Sequence, residues 1–166
     1  AQPKDRWTIQ DGGAIRWSIN DNIPHDDHLE MSGQQLSVVL RYGVDAQKRF
    51  HLNRSLVFPM LRMHPNKTQN NLKQRFDVNI PALVTVDDQT LLNEEVRDVT
   101  FNGIMRVESS FGYIYRRKEL KDAVQLTRVL YPSTNAAHYC EEYTFKNSSP
   151  NQITLRVPEW NVIYYS

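Results

Sequence analysis

The sequence lacks the features that mark several protein classes. It has one cysteine, Cys140, so it cannot form an intrachain disulfide. No stretch approaches the roughly 20 consecutive apolar residues that a membrane-spanning helix needs. The net charge is +1, from 20 basic and 19 acidic residues, and there is no long basic run. We therefore expect neither a membrane span nor a nucleic-acid partner.

The start of the sequence shows no signal-peptide pattern. The first residues (Ala-Gln-Pro-Lys-Asp) are polar and are typical of a mature or trimmed chain. We expect that a secretory leader has been removed, and hence a periplasmic or extracellular location. The chain of 166 residues has no internal repeat, low-complexity segment or linker. This length suits one domain that buries roughly two thirds of its unfolded surface. We expect a single domain over residues 1–166, excised from a longer protein.

Apolar and polar residues alternate through most of the chain. Alternate positions from Leu36 to Val44 are apolar, which is the two-residue period of a strand with one buried face. A turn at 45–48 and a return strand from Phe50 complete a long hairpin. Such a hairpin needs a second layer to cover it. The sequence therefore predicts an all-β, mainly antiparallel β-sandwich with little helix.

Further strands and turns follow the same pattern. We predict strands at 15–19, 83–86, 112–117, 123–131, 139–145 and 153–157. Asn102-Gly103 predicts a hairpin turn, because both residues accept a positive φ. Residues 118–122 are interpreted as the connection between two of these strands.

A polar cluster precedes the hairpin. His25, Asp26, Asp27, His28 and Glu30 place five side chains able to bind a ligand within six residues. On an extended backbone Asp26, His28 and Glu30 share one face, where they could hold a hard cation or zinc. No established metal-ligand spacing is present, and the plainer reading is turn capping or docking against another domain. We predict no cofactor, and we treat the five residues as candidates for ligand binding or a domain interface.

Paired acids are the second candidate chemistry. Glycoside hydrolysis needs two carboxyl groups about 5 Å or about 6.5–9.5 Å apart. Nothing in the sequence places two of its glutamates opposite each other. The adjacent pairs Glu94-Glu95 and Glu141-Glu142 point to opposite faces if they lie in strands. Solvated surface is the default interpretation for most of these acids.

Aromatic residues are the third candidate. Trp7, Trp17 and Trp160, with eight tyrosines, could form a flat surface on which sugars stack. A tryptophan in an alternating strand is more often part of the core, as we expect for Trp17. Trp160 follows Pro-Glu in a less regular segment, and we expect it to be partly exposed.

Three parts of the chain carry a resemblance to a known family. They are Ile23–Gly33 (Ile-Pro-His-Asp-Asp-His-Leu-Glu-Met-Ser-Gly), Leu56–Arg62 (Leu-Val-Phe-Pro-Met-Leu-Arg), and the ending from Thr127–Ser133 through Glu141–Asn147. They resemble the N-terminal β-sandwich domain of large bacterial glycoside hydrolases whose catalytic unit is a six-hairpin (α/α)₆ barrel. The chain is similar to an uncharacterised domain family found at the front of such proteins, and the resemblance covers most of the chain.

The resemblance implies a supersandwich, similar to the galactose-mutarotase-like fold, packed against a C-terminal catalytic barrel that these residues do not contain. It carries over no catalytic residue. The implied function is that of a non-catalytic accessory domain of a carbohydrate-active enzyme, with a polysaccharide as a further candidate partner. The polar cluster would lend loop residues to the rim of the barrel's cleft.

Two alternatives remain open. One is an independent carbohydrate-binding module, which would bind sugar in isolation. The other is a mutarotase-type sugar epimerase, with a histidine such as His138 as proton donor and a glutamate as base.

Overall fold

Strands dominate the computed structural model, which describes residues 6–58 and 73–159. In these two ranges the only helical element is a short 3₁₀ turn at Ile80–Leu83, and no helix is long and apolar enough to cross a membrane. The fold is all-β, as the alternation predicts. The strands are β1 Thr8–Ile9, β2 Ile15–Ser18, β3 His25–Ser32, β4 Ser37–Val44, β5 Phe50–Val57, β6 Lys73–Phe76, β7 Thr85–Val86, β8 Gln89–Thr90, β9 Leu92–Phe101, β10 Met105–Tyr115, β11 Lys118–Pro132, β12 Tyr139–Asn147 and β13 Leu155–Arg156.

The strands form two large sheets and one small one. The larger sheet has the order β1-β2-β9-β10-β11-β12, the second has the order β3-β4-β5-β6, and the small sheet has the order β13-β7-β8. Every strand pair in them is antiparallel. The predicted mainly antiparallel β-sandwich is confirmed, while the finer likeness to a supersandwich stays a prediction.

The main core lies between the inner faces of the two large sheets. From the four-stranded sheet, the alternate residues Val38, Leu40 and Val44 are almost fully buried. They pack against side chains of the six-stranded sheet such as Trp17 and Val107. Burying one such aliphatic side chain stabilises the fold by about 1.5–3 kcal/mol. The expectation that Trp17 belongs to the core is confirmed.

A second core lies further along the two longest strands, β10 and β11. Here Tyr113 and Leu126 are buried together with Val86 of the small sheet. The small sheet thus continues the cover over these strands beyond the main core. β11 has 15 residues and runs through both cores.

The predicted turns are mostly confirmed, with one correction. Gly103 has φ 94° in the hairpin between β9 and β10, as the Asn-Gly pair predicts. The connection between β10 and β11 is at Arg116-Arg117 rather than at 118–122, since Tyr115 already pairs with Lys118. Both arginines take a positive φ, 49° and 66°, which two-residue hairpin turns require. Arginine is not a typical residue for that conformation, so this turn could not be predicted from its residue types.

The polar cluster is also placed differently from the prediction. It forms β3, an edge strand of the four-stranded sheet, and pairs with β4 along its whole length. It is therefore not a loop at the end of the sandwich. Leu29 and Met31 supply the inward-facing apolar positions that hold the strand on the core. Charged side chains on an edge strand discourage pairing with another chain.

Candidate functional site

The outer face of the four-stranded sheet carries part of the polar cluster. Asp26, His28 and Glu30 share this face, as the extended backbone predicts. Their side chains do not converge on one point. In the part of the chain that the structure describes, no three His, Cys, Asp or Glu side chains are placed to hold a metal ion. The metal hypothesis for these residues therefore gains no support.

Asp26 and His51 form a bridge across this face. Nε2 of His51 lies 2.6 Å from Oδ1 of Asp26, although the two residues are on β5 and β3, with β4 between them. Gly43 on β4 makes the bridge possible, because a Cβ at this position would collide with both side chains. A glycine inside a strand often marks such a close approach. Gly43 therefore marks a close approach of two side chains in the sequence. The sequence alone does not identify those side chains as Asp26 and His51.

The bridge belongs to a wider polar surface that we call the outer polar face, made of Asp26, His28, Arg41, His51 and Asn53. His28, Arg41 and Asn53 lie side by side on β3, β4 and β5. All five residues are exposed and line one open depression. The surface is rich in hydrogen-bonding groups and is open rather than deep. It suits contact with a polar protein surface better than the enclosure of a small molecule.

His25 and Asp27 point to the other side of β3. The His25 ring packs edge-on against Trp17, with 5.1 Å between the ring centroids. Its Nε2 is buried and has no hydrogen-bond partner among the described residues, while Oδ2 of Asp27 lies 3.7 Å away. Burial, and then the charge of Arg6, lower the pKa of His25. His25 is therefore a structural residue whose neutral form the fold prefers.

We expect His25 to make the domain less stable in mild acid. Because its pKa is lower in the folded than in the unfolded chain, the unfolded chain binds more protons once the pH falls below the unfolded value of about 6.5. The contribution of neutral His25 to the free energy of unfolding is complete above that pH. This contribution is lost as the pH falls through the folded-state pKa. Urea unfolding from pH 7.5 to 5 should show this loss, and His25→Gln should weaken it. The exposed His28→Gln is the control, and an equal pH dependence in both variants would contradict the assignment.

The sixth predicted site residue, Trp160, lies outside the described residues. Of the other two tryptophans, Trp17 is buried and Trp7 packs beside it, with 6.0 Å between their ring centroids. These two rings therefore do not form an open surface for sugar stacking.

The most extensive polar network lies inside the sandwich, and the sequence did not predict it. Arg54 of β5 and Glu141 of β12 join the two large sheets through a two-pronged ion pair, Nε to Oε2 and Nη2 to Oε1. Their side chains are only 2% and 8% exposed. Nη1 of Arg54 also donates to the carbonyl of Val78, at 3.0 Å. The sequence did hold a signal, since each residue occupies an inward-facing position of its strand.

Two tyrosines complete the shell around Glu141. Tyr139 donates to its Oε2 at 2.5 Å, and Tyr143 donates to its Oε1 at 2.8 Å. Burial and the carboxylate of Glu141 raise the pKa of both hydroxyls, that of Tyr143 to about 12. Burial alone would lower the pKa of Arg54, but its hydrogen bonds and charge interaction with Glu141 raise it. The arginine is therefore charged, and both tyrosines are neutral donors.

A second buried ion pair lies within the six-stranded sheet. Nη1 of Arg128 on β11 donates to Oε1 of Glu94 at 2.6 Å and to Ser109 at 3.2 Å, and Nη2 donates to Oε2 of Glu94 at 3.2 Å. The two charged side chains are 3% and 10% exposed. The guanidinium carbon lies 4.9 Å from the ring centroid of Phe50 and 6.0 Å from that of Tyr143. Arg128 is thus held by a carboxylate and by aromatic rings from both large sheets.

Glu95 and Glu142 each follow one of the two buried glutamates in the sequence. Both point away from the core, as predicted for adjacent residues in a strand. Glu95 lies 3.6 Å from Arg97 at the surface, and Glu142 accepts a hydrogen bond from Tyr131 at 2.9 Å. The interpretation of the acids as solvated surface residues therefore holds for these two glutamates. It does not hold for Glu94 and Glu141, which are buried. Two carboxylates that could have served as an acid and a base are instead partners of buried arginines.

The two buried arginines also line a cleft of about 250 Å³ between the sheets. One wall is β5, and the opposite wall includes Arg128 and Tyr143. The segment 77–81 closes one end. His138, the histidine of the epimerase alternative, is exposed in the connection between β11 and β12 and does not line the cleft. The cleft is lined by Phe50, His51, Leu52, Asn53, Arg54, Asp77, Val78, Asn79, Ile80, Pro81, Arg128 and Tyr143.

Comparisons with protein-family models, curated proteins and solved structures gave no match for this chain. The family resemblance therefore depends on the segments quoted above, of which residues 59–62 lie outside the described ranges.

Proposed function

We propose that this chain is a non-catalytic N-terminal accessory domain of a carbohydrate-active enzyme, a glycoside hydrolase, and that it packs against the C-terminal (α/α)₆ catalytic barrel of the same polypeptide. The sequence resemblance supports the identity of the parent enzyme and of the barrel. The periplasmic or extracellular location belongs to the same proposal. Two features of the structure support the accessory role.

The first feature is the use of the buried acids. A glycosidase needs one carboxyl group that can give up a proton and a second that acts as a base or nucleophile. Inside this sandwich Glu94 and Glu141 are each neutralised by an arginine at hydrogen-bonding distance. A carboxylate held by an arginine stays ionised and is a poor proton donor. These two acids are therefore poorly suited to act as the proton donor, which supports a non-catalytic role.

The second feature, which carries the docking proposal, is an apolar strip that continues beyond the core. Ile153, Leu155 and Val157 occupy alternate positions at β13 and around it. Ile153 packs against the second core, whereas Leu155 is 37% and Val157 59% exposed. Leu83, at the end of the 3₁₀ turn that leads into β7, is also exposed. Leu155 and Val157 lie two positions apart along the chain, and a packed barrel domain would cover such exposed apolar side chains.

The outer polar face is the second surface that could meet the barrel. Because β3 is a strand, its side chains would reach the partner from a flat sheet rather than from a flexible loop. Their positions are then set by the sheet itself. This would make the face a rigid contribution to the rim of the barrel's cleft.

The double variant Leu155→Asp with Val157→Asp tests the docking proposal. In the parent protein we expect the domain to separate from its neighbour, because two charges would be buried in an apolar contact. Calorimetry should then show two unfolding transitions, and limited proteolysis should cut faster between the domains. The isolated 166-residue chain should change in stability by about 1 kcal/mol at most, since Val157 is 59% and Leu155 37% exposed there.

Ile9→Asp is the matched control. Ile9 is 82% exposed on β1, at the far edge of the six-stranded sheet, and should tolerate the charge in both proteins. If the double variant left the parent protein with one unfolding transition and unchanged proteolysis, the strip would not be a docking surface. The proposal that the domain docks through this strip would then be wrong.

A further inference from the structure

One edge of the six-stranded sheet is open to a further strand. β12 (Tyr139–Asn147) is the last strand of that sheet and pairs with β11 on one side only. On its other side, its N–H and C=O groups make no hydrogen bond to the backbone of any described residue. An unpaired edge of this kind is a template for a strand from another chain. The side chains of β12 decide which strand fits.

The outward side chains of β12 carry opposite charges at equal distances from its middle. Glu142, Thr144 and Lys146 lie on the outer face, and all three are exposed. Glu142 accepts a hydrogen bond from Tyr131. Lys146 lies beside the uncharged Gln125 of β11 and forms no ion pair with a described residue. The two charges therefore stand two positions before and two positions after Thr144.

These charges favour one antiparallel pairing of β12 with a second copy of itself. In a two-fold pairing centred on Thr144, Glu142 of each copy faces Lys146 of the other. Opposite charges that face each other across two strands stabilise a sheet, and like charges destabilise it. A pairing centred on Glu142 or on Lys146 would place that residue opposite its own copy. The charges therefore select the register centred on Thr144.

The inward side chains of β12 support the same register. Tyr143 and Phe145 are each half-buried and pack against the second core. In the pairing centred on Thr144, Tyr143 of each copy faces Phe145 of the other. Cross-strand aromatic pairs stabilise sheets, and this pair would cover ring surface that is exposed in the single chain. Both faces of β12 thus agree on one register.

The polar edge strand of the four-stranded sheet, β3, does not fit a second copy in this way. A two-fold pairing of β3 centred on His28 would place Asp26 of each copy opposite Glu30 of the other, so that acids would meet. Such charges protect an edge from pairing. On β12 the charges of Glu142 and Lys146 complement each other instead.

We propose that two copies of this chain associate through β12, with Thr144 at the two-fold axis. Their six-stranded sheets then join into one continuous antiparallel sheet. Because only a few residues of each copy pair, the interface is small, and we expect a weak dimer in reversible equilibrium with the monomer. The inference goes beyond the proposed docking function, since the interface includes neither Leu155 nor Val157.

Sedimentation equilibrium of the 166-residue chain over a wide range of concentration measures the association. The mass of the wild type should rise from that of a monomer towards that of a dimer. Lys146→Glu places like charges opposite each other at both ends of the interface and should weaken the dimer at least about tenfold. The double variant Glu142→Lys with Lys146→Glu restores opposite charges and should recover the dimer. Lys118→Glu is the control, because Lys118 is exposed and lies outside the part of β11 that pairs with β12.

Thr144→Cys, made together with Cys140→Ser, locates the two-fold axis. Residues directly opposite each other in an antiparallel pair have Cα atoms roughly 4.5–5.5 Å apart, which a disulfide can span. Mild oxidation should therefore link two copies through position 144, and Lys118→Cys in the same background should not link. A monomer at every concentration, a dimer unaffected by Lys146→Glu, or equal linking of both cysteine variants would overturn the proposal. None of these results bears on docking through Leu155 and Val157.

Discussion

Replacing Glu141 by glutamine is expected to lower the free energy of unfolding by about 3–5 kcal/mol, because it leaves the charge of Arg54 buried without a counter-ion. The amide group would also turn an N–H donor towards Arg54 or towards the hydroxyl donors of Tyr139 and Tyr143. A domain of this size typically has a total stability of about 5–15 kcal/mol, so a large share of it would be lost. Urea unfolding followed by fluorescence measures the difference.

The neighbouring residue provides the control. Glu142→Gln makes the same chemical change one position along β12, on the outward side, and should cost less than about 0.5 kcal/mol. The double variant Arg54→Met with Glu141→Leu should recover part of the loss, because neither charge of this pair remains. Recovery should be incomplete, since both tyrosine hydroxyls would lose their acceptor. Equal effects of Glu141→Gln and Glu142→Gln would show that the buried pair does not connect the sheets as described.

Replacing Arg128 by methionine is expected to cost about 3–5 kcal/mol as well, here because the carboxylate of Glu94 loses its counter-ion. The contacts of the guanidinium with Phe50 and Tyr143 are lost too. Methionine keeps most of the volume, so the loss reports charge rather than a cavity. Arg156→Met is the control, since that arginine is 72% exposed and lies 3.5 Å from Asp88. It should change stability by less than about 0.5 kcal/mol.

The pH dependence of stability distinguishes the loss of a counter-ion from a packing defect. Without Arg128, the carboxylate of Glu94 is buried without a counter-ion, and taking up a proton removes that unpaired charge from the folded variant. The folded variant then binds more protons than the unfolded chain as the pH falls, so the variant gains stability relative to wild type. The difference between wild type and Arg128→Met should therefore shrink between pH 7 and pH 4. A difference that does not depend on pH would indicate lost packing instead.

The two buried pairs show what strand periodicity can and cannot reveal. Alternation along β12 correctly separated Glu141 from Glu142, because successive side chains of a strand point to opposite faces. It did not reveal that Glu141 meets Arg54, because those residues lie 87 positions apart and on different sheets. An arginine at an inward-facing position indicates that a buried partner exists. It does not say which strand of the opposite sheet carries that partner.

The polar cluster also shows what strand periodicity can and cannot reveal. Its side chains suggested a loop, but Leu29 and Met31 supply the apolar positions that make it β3. The shared face of Asp26, His28 and Glu30 was predicted correctly from the two-residue period. The bridge from Asp26 to His51 was not, since it depends on the order of β3, β4 and β5 in the sheet. Gly43 signalled a close approach without identifying the side chains involved.

The sequence by itself determined that this protein is built from antiparallel strands with one buried face each, because the two-residue period and most turn residues act over a few neighbouring positions. Only the tertiary structure decided which strands lie side by side and which faces oppose each other. Three features follow from this arrangement of strands and faces. They are the paired charges of Arg54 and Glu141, the cleft beside Arg128, and the exposed strip at Leu155 and Val157. They arise from contacts between distant segments, whose geometry depends on the packing of whole sheets rather than on any local pattern.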